Sequence, residues 1–324
     1  MRTGYTQQFN LAVERELGSN FTFETAFVGS RSHRLSYEIG DINFNFDPNV
    51  LTDGFLTPNL GKIQALTDAG WANYNSLQVK VTKRVSKNLN FLANYTYSHN
   101  IDNGPAPFNL GQNSDYPQNP YNLNAEIASA DNDVRHNFVF SGLYHLPFGH
   151  GQAFFSNWGK VQELILGGWQ LNGILTMHTG TPVNVVRGES LATCPGARPD
   201  LVGDPNGPPP TPPAGSGPPS TADQGFYAFN VAAFDVPTTL TGCAPGSARR
   251  NLIVGPGFVG ADASIFKEFD LTEKAKLQTR LEGFNVTNTP HFANPDGVMT
   301  DGTFGQITRA GQMRILQLAA KIIF

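Results

Sequence analysis

The side chains able to do chemistry are few and scattered. Asp131 and Asp133, with Asn132 between them, present oxygens that suit a hard cation, but a calcium loop also needs a glycine turn and a distal carboxylate, and neither follows. The seven histidines, at 33, 99, 136, 145, 150, 178 and 291, show no zinc spacing. No Gly-x-Ser-x-Gly elbow, phosphate loop or dinucleotide fingerprint occurs. The expectation is a chain that is not an enzyme and holds no metal or cofactor. The two cysteines, Cys194 and Cys243, share one long loop; in an oxidising compartment they are expected to pair, with two unrelated thiols as the alternative. Aromatics set among Asn and Pro, namely Tyr116, Tyr121, Phe226, Tyr227 and Phe229, are the candidates for stacking on a ligand. The plainer alternative is a set of loops that pack on themselves.

Composition narrows the scaffold that must position these groups. With 34 Gly and 23 Pro the chain is rich in turns, and charged residues fall to 15%, against about 25% in a typical soluble domain. Net charge is −4, and the 22 Lys and Arg form no basic run, so nucleic acid is not an expected partner. No window approaches the ~18 consecutive apolar residues of a membrane-spanning helix. Residues 1–30 lack a leader, because Gln7, Gln8, Asn10, Glu14, Arg15 and Glu16 interrupt every apolar candidate. Either the chain is not exported or its natural start lies upstream of Met1.

Hydrophobic periodicity of two dominates, so strands are predicted throughout. Leu77, Val79, Val81 and Val85 alternate with Gln78, Lys80, Thr82 and Arg84, with Lys83 breaking the apolar file. Across Ser86–Lys87–Asn88, Leu89, Phe91, Ala93, Tyr95 and Tyr97 answer them. The unit recurs in Phe9–Val13 and Phe21–Phe27, in Phe138–Leu146 and Trp169–Met177, and more weakly around Ile265–Phe269 and Leu277–Leu281, where Lys267 and Thr279 interrupt. A last strand carries Leu316, Leu318, Ala320, Ile322 and Phe324 on one face.

About nine strands of roughly ten to twelve residues emerge, a length that suits a tilted membrane-crossing strand. Short connections at 17–20, 86–88 and 271–274, and a medium one at 148–162, alternate with long ones near 30–73, 100–134, 179–260 and 289–312. Outer-membrane barrels have this asymmetry, with tight periplasmic turns and long external loops; the alternative is a soluble antiparallel sheet with decorated loops. The expected fold is therefore all-β: an antiparallel transmembrane β-barrel in the cell outer membrane, with outer-membrane lipid against one face. Tyr95, Tyr97, Tyr144, Trp169 and Phe324 are candidates for interfacial girdles, and Lys80, Arg84 and Arg280 with Glu282 for a wet interior. Nine is odd where single-chain bacterial barrels are even, so residues 1–324 are expected to form the carboxy-terminal part of a larger barrel. The Pro-rich stretch Pro205–Pro219 is expected to be an extended external excursion.

Several segments together resemble a known family. Tyr74–Asn75–Ser76–Leu77–Gln78–Val79–Lys80–Val81–Thr82–Lys83–Arg84, Asn94–Tyr95–Thr96–Tyr97–Ser98, Asp133–Val134–Arg135–His136, Leu146–Pro147–Phe148–Gly149, Gly167–Gly168–Trp169–Gln170–Leu171–Asn172–Gly173 and Gly283–Phe284–Asn285–Val286–Thr287–Asn288–Thr289–Pro290–His291–Phe292 occur in the order seen in the barrel of TonB-dependent outer-membrane receptors of the Oar-like group in Gram-negative bacteria. The resemblance implies a 22-strand barrel around an amino-terminal plug, with insertion by the barrel-assembly machinery and a terminal signature ending at Phe324. It also implies energy-coupled uptake, powered by an inner-membrane energy-coupling protein that acts only through amino-terminal elements this chain lacks. A structural or adhesion barrel that binds a partner without transport is the alternative function.

Overall fold

A computed structural model describes residues 1–18, 20–43, 55–86, 88–104, 116–188, 198–208, 226–235, 245–272 and 274–324. Nine long strands form one antiparallel meander: β1 (Tyr5–Glu16), β2 (Phe21–Ile39), β3 (Ala65–Ser86), β4 (Leu89–Asp102), β5 (His136–His145), β6 (Trp169–His178), β7 (Phe258–Thr272), β8 (Ala275–Phe284) and β9 (Ile315–Ile323). Each pairs with its neighbours in sequence; β1 and β9 are the sheet's edges among the described residues. A two-residue strand, Ala128–Ser129, adds to the outer end of β4.

The register assembles the single-strand apolar files into one surface. One row runs Val13, Thr25, Val79, Tyr95, Phe138, Met177 and Val259; another runs Leu89, Tyr144, Leu171, Ile265, Leu281 and Leu318. The opposite face collects Glu24, Lys80 and Asn94 in one row and Asn172, Ser264, Glu282 and Gln317 in another. There Lys80 Nζ meets Glu24 Oε2 at 3.1 Å, and Gln278 Nε2 donates to Glu268 Oε1 at 2.9 Å. Arg280 Nη1 lies 3.7 Å from Glu282 Oε1. These polar groups satisfy one another on a wet face, as the alternation requires.

The strands are tilted as barrel closure demands. The row that starts at Phe21, next to the first tight turn, passes Lys83, Phe91, Gly142, Gly173 and Ala263 and reaches Gly283, at the far end of β8 from its own turn. A row that climbs in this way is the stagger of a barrel wall. Gly29 leaves room there for the Phe9 ring of the neighbouring strand, which a Cβ at 29 would displace.

Two expectations change. The connection placed at 30–73 is shortened from both sides, since β2 runs on to Ile39 and β3 begins at Ala65. The extension pairs through shifts at Leu35 and Tyr37, and these irregularities erase the clean alternation that marks a strand in sequence. The connection between β5 and β6 contains a helix, α1 (Lys160–Leu166), where only a turn region is expected.

Ala93 and Thr96 lie on the two faces of β4. Ala93→Arg should cost about 2–4 kcal/mol in the membrane and Thr96→Arg no more than about 0.5, read from equilibrium unfolding in phospholipid vesicles. Equal losses would mean that the apolar rows do not face lipid.

Candidate functional site

The long connections meet at the end of the sheet opposite the tight turns, and they build a body with its own core. Val183, Val185, Phe229, Ala233, Phe234, Ala248 and Ile253 are buried together, with Val231, Leu252, Met299 and Phe304 packed on them. Phe229, Phe234 and Phe304 contact one another edge to face, with centroids 5.5–6.2 Å apart. Two-residue ladders tie segments distant in sequence: Pro182–Val183 with Ile253–Val254, Asp200–Leu201 with Phe234–Asp235, and Phe226–Tyr227 with Gln306–Ile307. Gly180 permits one of these approaches, since a Cβ there would lie 1.8 Å from the Gly255 carbonyl oxygen.

A polar network joins this body to the strand ends. The Arg198 guanidinium grips Glu126 with a fork, Nη1 to Oε2 at 2.5 Å and Nη2 to Oε1 at 3.1 Å, and both side chains are almost wholly buried. Arg198 Nε donates to the Ala248 carbonyl, and Gln118 bridges to the Gly246 carbonyl. Arg250 donates to the Glu126 carbonyl at 3.0 Å, to Asp131 at 3.3 Å and to Asp102 at the outer tip of β4. Asn251 Nδ2 reaches Asp131 Oδ1 and the Ser129 carbonyl. Asp102 lies beyond Tyr97, where the apolar rows of β4 end; burial raises its carboxyl to about 6, with Arg250 pulling the other way.

The acidic pair considered for a cation is already engaged. Asp131 serves Arg250 and Asn251, while Asp133 accepts from Arg135 Nε at 2.8 Å and from the Asn100 amide, and lies 2.9 Å from His99 Nδ1. Among the aromatics singled out as ligand contacts, Phe229 is corrected: it is 3% exposed and forms the centre of the body's core. Tyr121 is exposed and its hydroxyl donates to the Ile42 carbonyl. Tyr116 donates to Glu38 at 3.4 Å with Lys62 above its ring, and Tyr227 sits in its ladder opposite Gln306. Cys194 and Cys243 lie outside the described residues, as does most of the Pro-rich stretch. Leu316, Leu318, Ile322 and Phe324 project as an exposed apolar file along β9 and the chain end. Glu126, Arg198, Arg250 and Asn251 escape a reading of the sequence, because ion pairs spanning 72 to 148 residues have no periodicity. The signal for the three charged ones is only that charges are sparse in this chain.

A tilted antiparallel wall with one apolar and one wet face, short turns at one end and a folded body at the other, defines an outer-membrane β-barrel. The comparisons agree: the outer membrane beta barrel domain family model matches residues 1–317, and the chain belongs to that family. No curated protein matches. Among solved structures, the outer membrane transporter YddB of Escherichia coli is similar with a TM-score of 0.51 at 9% identity, over 99% of this chain and 33% of YddB. FpvA of P. aeruginosa, solved with heterologous pyoverdines, gives 0.46 at 8% identity, over 98% of this chain and 27% of FpvA. The chain thus spans about a third of the length of the first of these. It is an outer-membrane protein.

Glu126→Ala should loosen the body from the strand ends by leaving the Arg198 charge buried and unpaired, a loss of about 3–5 kcal/mol. Hydrogen exchange should rise across 198–208 and 245–254 with little change in β6–β8. The double change Glu126→Leu with Arg198→Met should recover much of that protection; equal loss in both variants would show that the pair does not hold the body.

Proposed function

We propose that this chain forms the carboxy-terminal wall of an energy-coupled uptake receptor of the Oar-like TonB-dependent group. The external body captures a ligand, and the wet face of the strands borders the path inward. The observation that carries this reading is the arrangement of the two: a body with its own core and polar anchorage stands over a wet face that carries Glu24 with Lys80 on one flank and Arg280 with Glu282 on the other. The family membership and the fold shared with an outer membrane transporter support it. In this reading a plug and an energy-coupling box belong upstream, an inner-membrane partner engages them, and the barrel-assembly machinery reads the terminal strand through Leu316, Leu318, Ala320, Ile322 and Phe324. Tyr116, Tyr121, Phe226 and Tyr227 are the ligand-contact candidates, and the chain has no enzymatic step.

The reading frame upstream of Met1 should encode a plug and a short energy-coupling box. Deleting the whole gene should then abolish growth on at least one scarce nutrient, to the same degree as deleting the inner-membrane coupling protein. A natural start at Met1, or growth loss that persists without any dependence on the coupling protein, would overturn uptake in favour of a barrel that binds a partner without transport.

A further inference from the structure

Among the connections at the tight-turn end, the one between β5 and β6 differs from the rest. It carries a cluster of rings, Phe148, Phe154, Phe155 and Trp158, with centroid separations of 4.8–6.2 Å, and then α1. Val161, Leu164 and Ile165, spaced to share one helical face, are 68%, 57% and 58% exposed. A seven-residue helix does not hold itself together in water, so its position must come from what grips it.

The grip comes from the apolar side of the wall. Lys267 Nζ donates to the Glu163, Leu164 and Gly167 carbonyls at 3.0, 2.7 and 2.5 Å, at the negative end of the helix. Trp169 Nε1 donates to the Ile165 carbonyl at 2.9 Å. Lys267 and Trp169 are cross-strand partners within the apolar rows, so α1 lies against the face that meets lipid and not beneath the lumen. The lysine that interrupts the apolar file is therefore a fastener whose charge is spent on the helix. On the other flank, Glu163 accepts from the His150 amide.

We propose that residues 154–166 form an in-plane membrane anchor, seated at the boundary between headgroups and acyl chains in the periplasmic leaflet, with phospholipid as the occupant of the Val161–Leu164–Ile165 face. Two arguments select lipid. α1 is joined to the wall that the bilayer already covers, through Trp169 on the Ile165 carbonyl and through Lys267 between the helix end and the Trp169 and Phe269 rings. It also stands at the tight-turn end, which faces the periplasm in barrels of this class. Its make-up, apolar on one side with Lys160 and Gln162 nearby and aromatic rings at its root, is that of an interfacial helix.

The test uses the full chain in phospholipid vesicles, with Cys194 and Cys243 changed to serine and a polarity-sensitive fluorophore at Leu164→Cys or, as control, Gln152→Cys. Brominated phospholipid should quench position 164 several-fold more strongly than position 152, with a blue-shifted emission at 164 alone. Lys267→Met, which keeps the apolar file but frees the helix end, should reduce that difference while the heat-modifiable folded band persists. Equal quenching at the two sites would overturn the proposal. So would lipid quenching at 164 that disappears as energy transfer between copies of the chain appears.

Discussion

The wall rests on one constraint: inside a bilayer no backbone N–H or C=O can look to water, so each must find its partner on the next strand. From β1 to β9 the ladder meets this demand between neighbours, and among the described residues only the outer sides of β1 and β9 await a partner strand. Once the register is set, side-chain orientation is no longer free. A slip of one residue would turn Leu77, Val79 and Val81 to the wet face and present Gln78 and Lys80 to lipid. Hydrogen bonding and burial therefore select the same register, and the stagger that tilts the strands is the accumulated result.

That agreement explains what was legible in the sequence. Where alternation is clean, as in Leu89–Tyr97 or Trp169–Met177, residue type alone places the strand and its faces. It fails where the physics is different. The outer halves of β2 and β3 rise above the apolar rows, lose the lipid-facing file and carry register shifts, so Arg31, Arg34 and Glu38 read as loop. The external body is held by contacts between segments far apart in the chain, and local pattern does not encode these. Phe229 shows the limit most clearly, since an aromatic in a loop is equally suited to a ligand and to a private core, and only its neighbours Phe234 and Phe304 decide. The helix α1 is too short to show a period that stands apart from a greasy turn.

The two lysines that break the apolar files turn out to share a position and a logic. Lys83 lies near the tight-turn end with its ammonium 4.1 Å from the centroid of the Phe21 ring, and Lys267 lies toward the same end among carbonyls and the faces of Trp169 and Phe269. A cation on the lipid face is tolerated close to an interface, where it finds a ring or an oxygen, and is costly at the midplane. Interruptions in an otherwise regular file thus mark the membrane boundary.

The outer end solves a different problem. Apolar burial can hold the loop body together, because it is insensitive to direction, but it cannot fix how that body sits on the barrel. Orientation requires contacts with geometry, and the structure supplies them where body and strands meet: Arg250 spans the Glu126 carbonyl and Asp102 on β4, and Arg198 locks Glu126 in a planar fork. Such buried pairs add little net stability over an apolar seam of the same volume, yet they tolerate few alternative arrangements. A body cored by phenylalanines and aimed by arginines keeps one pose above the wet face. Asp102 thereby ties the body to β4, beside the direct chain connections that join it to β6 and β7.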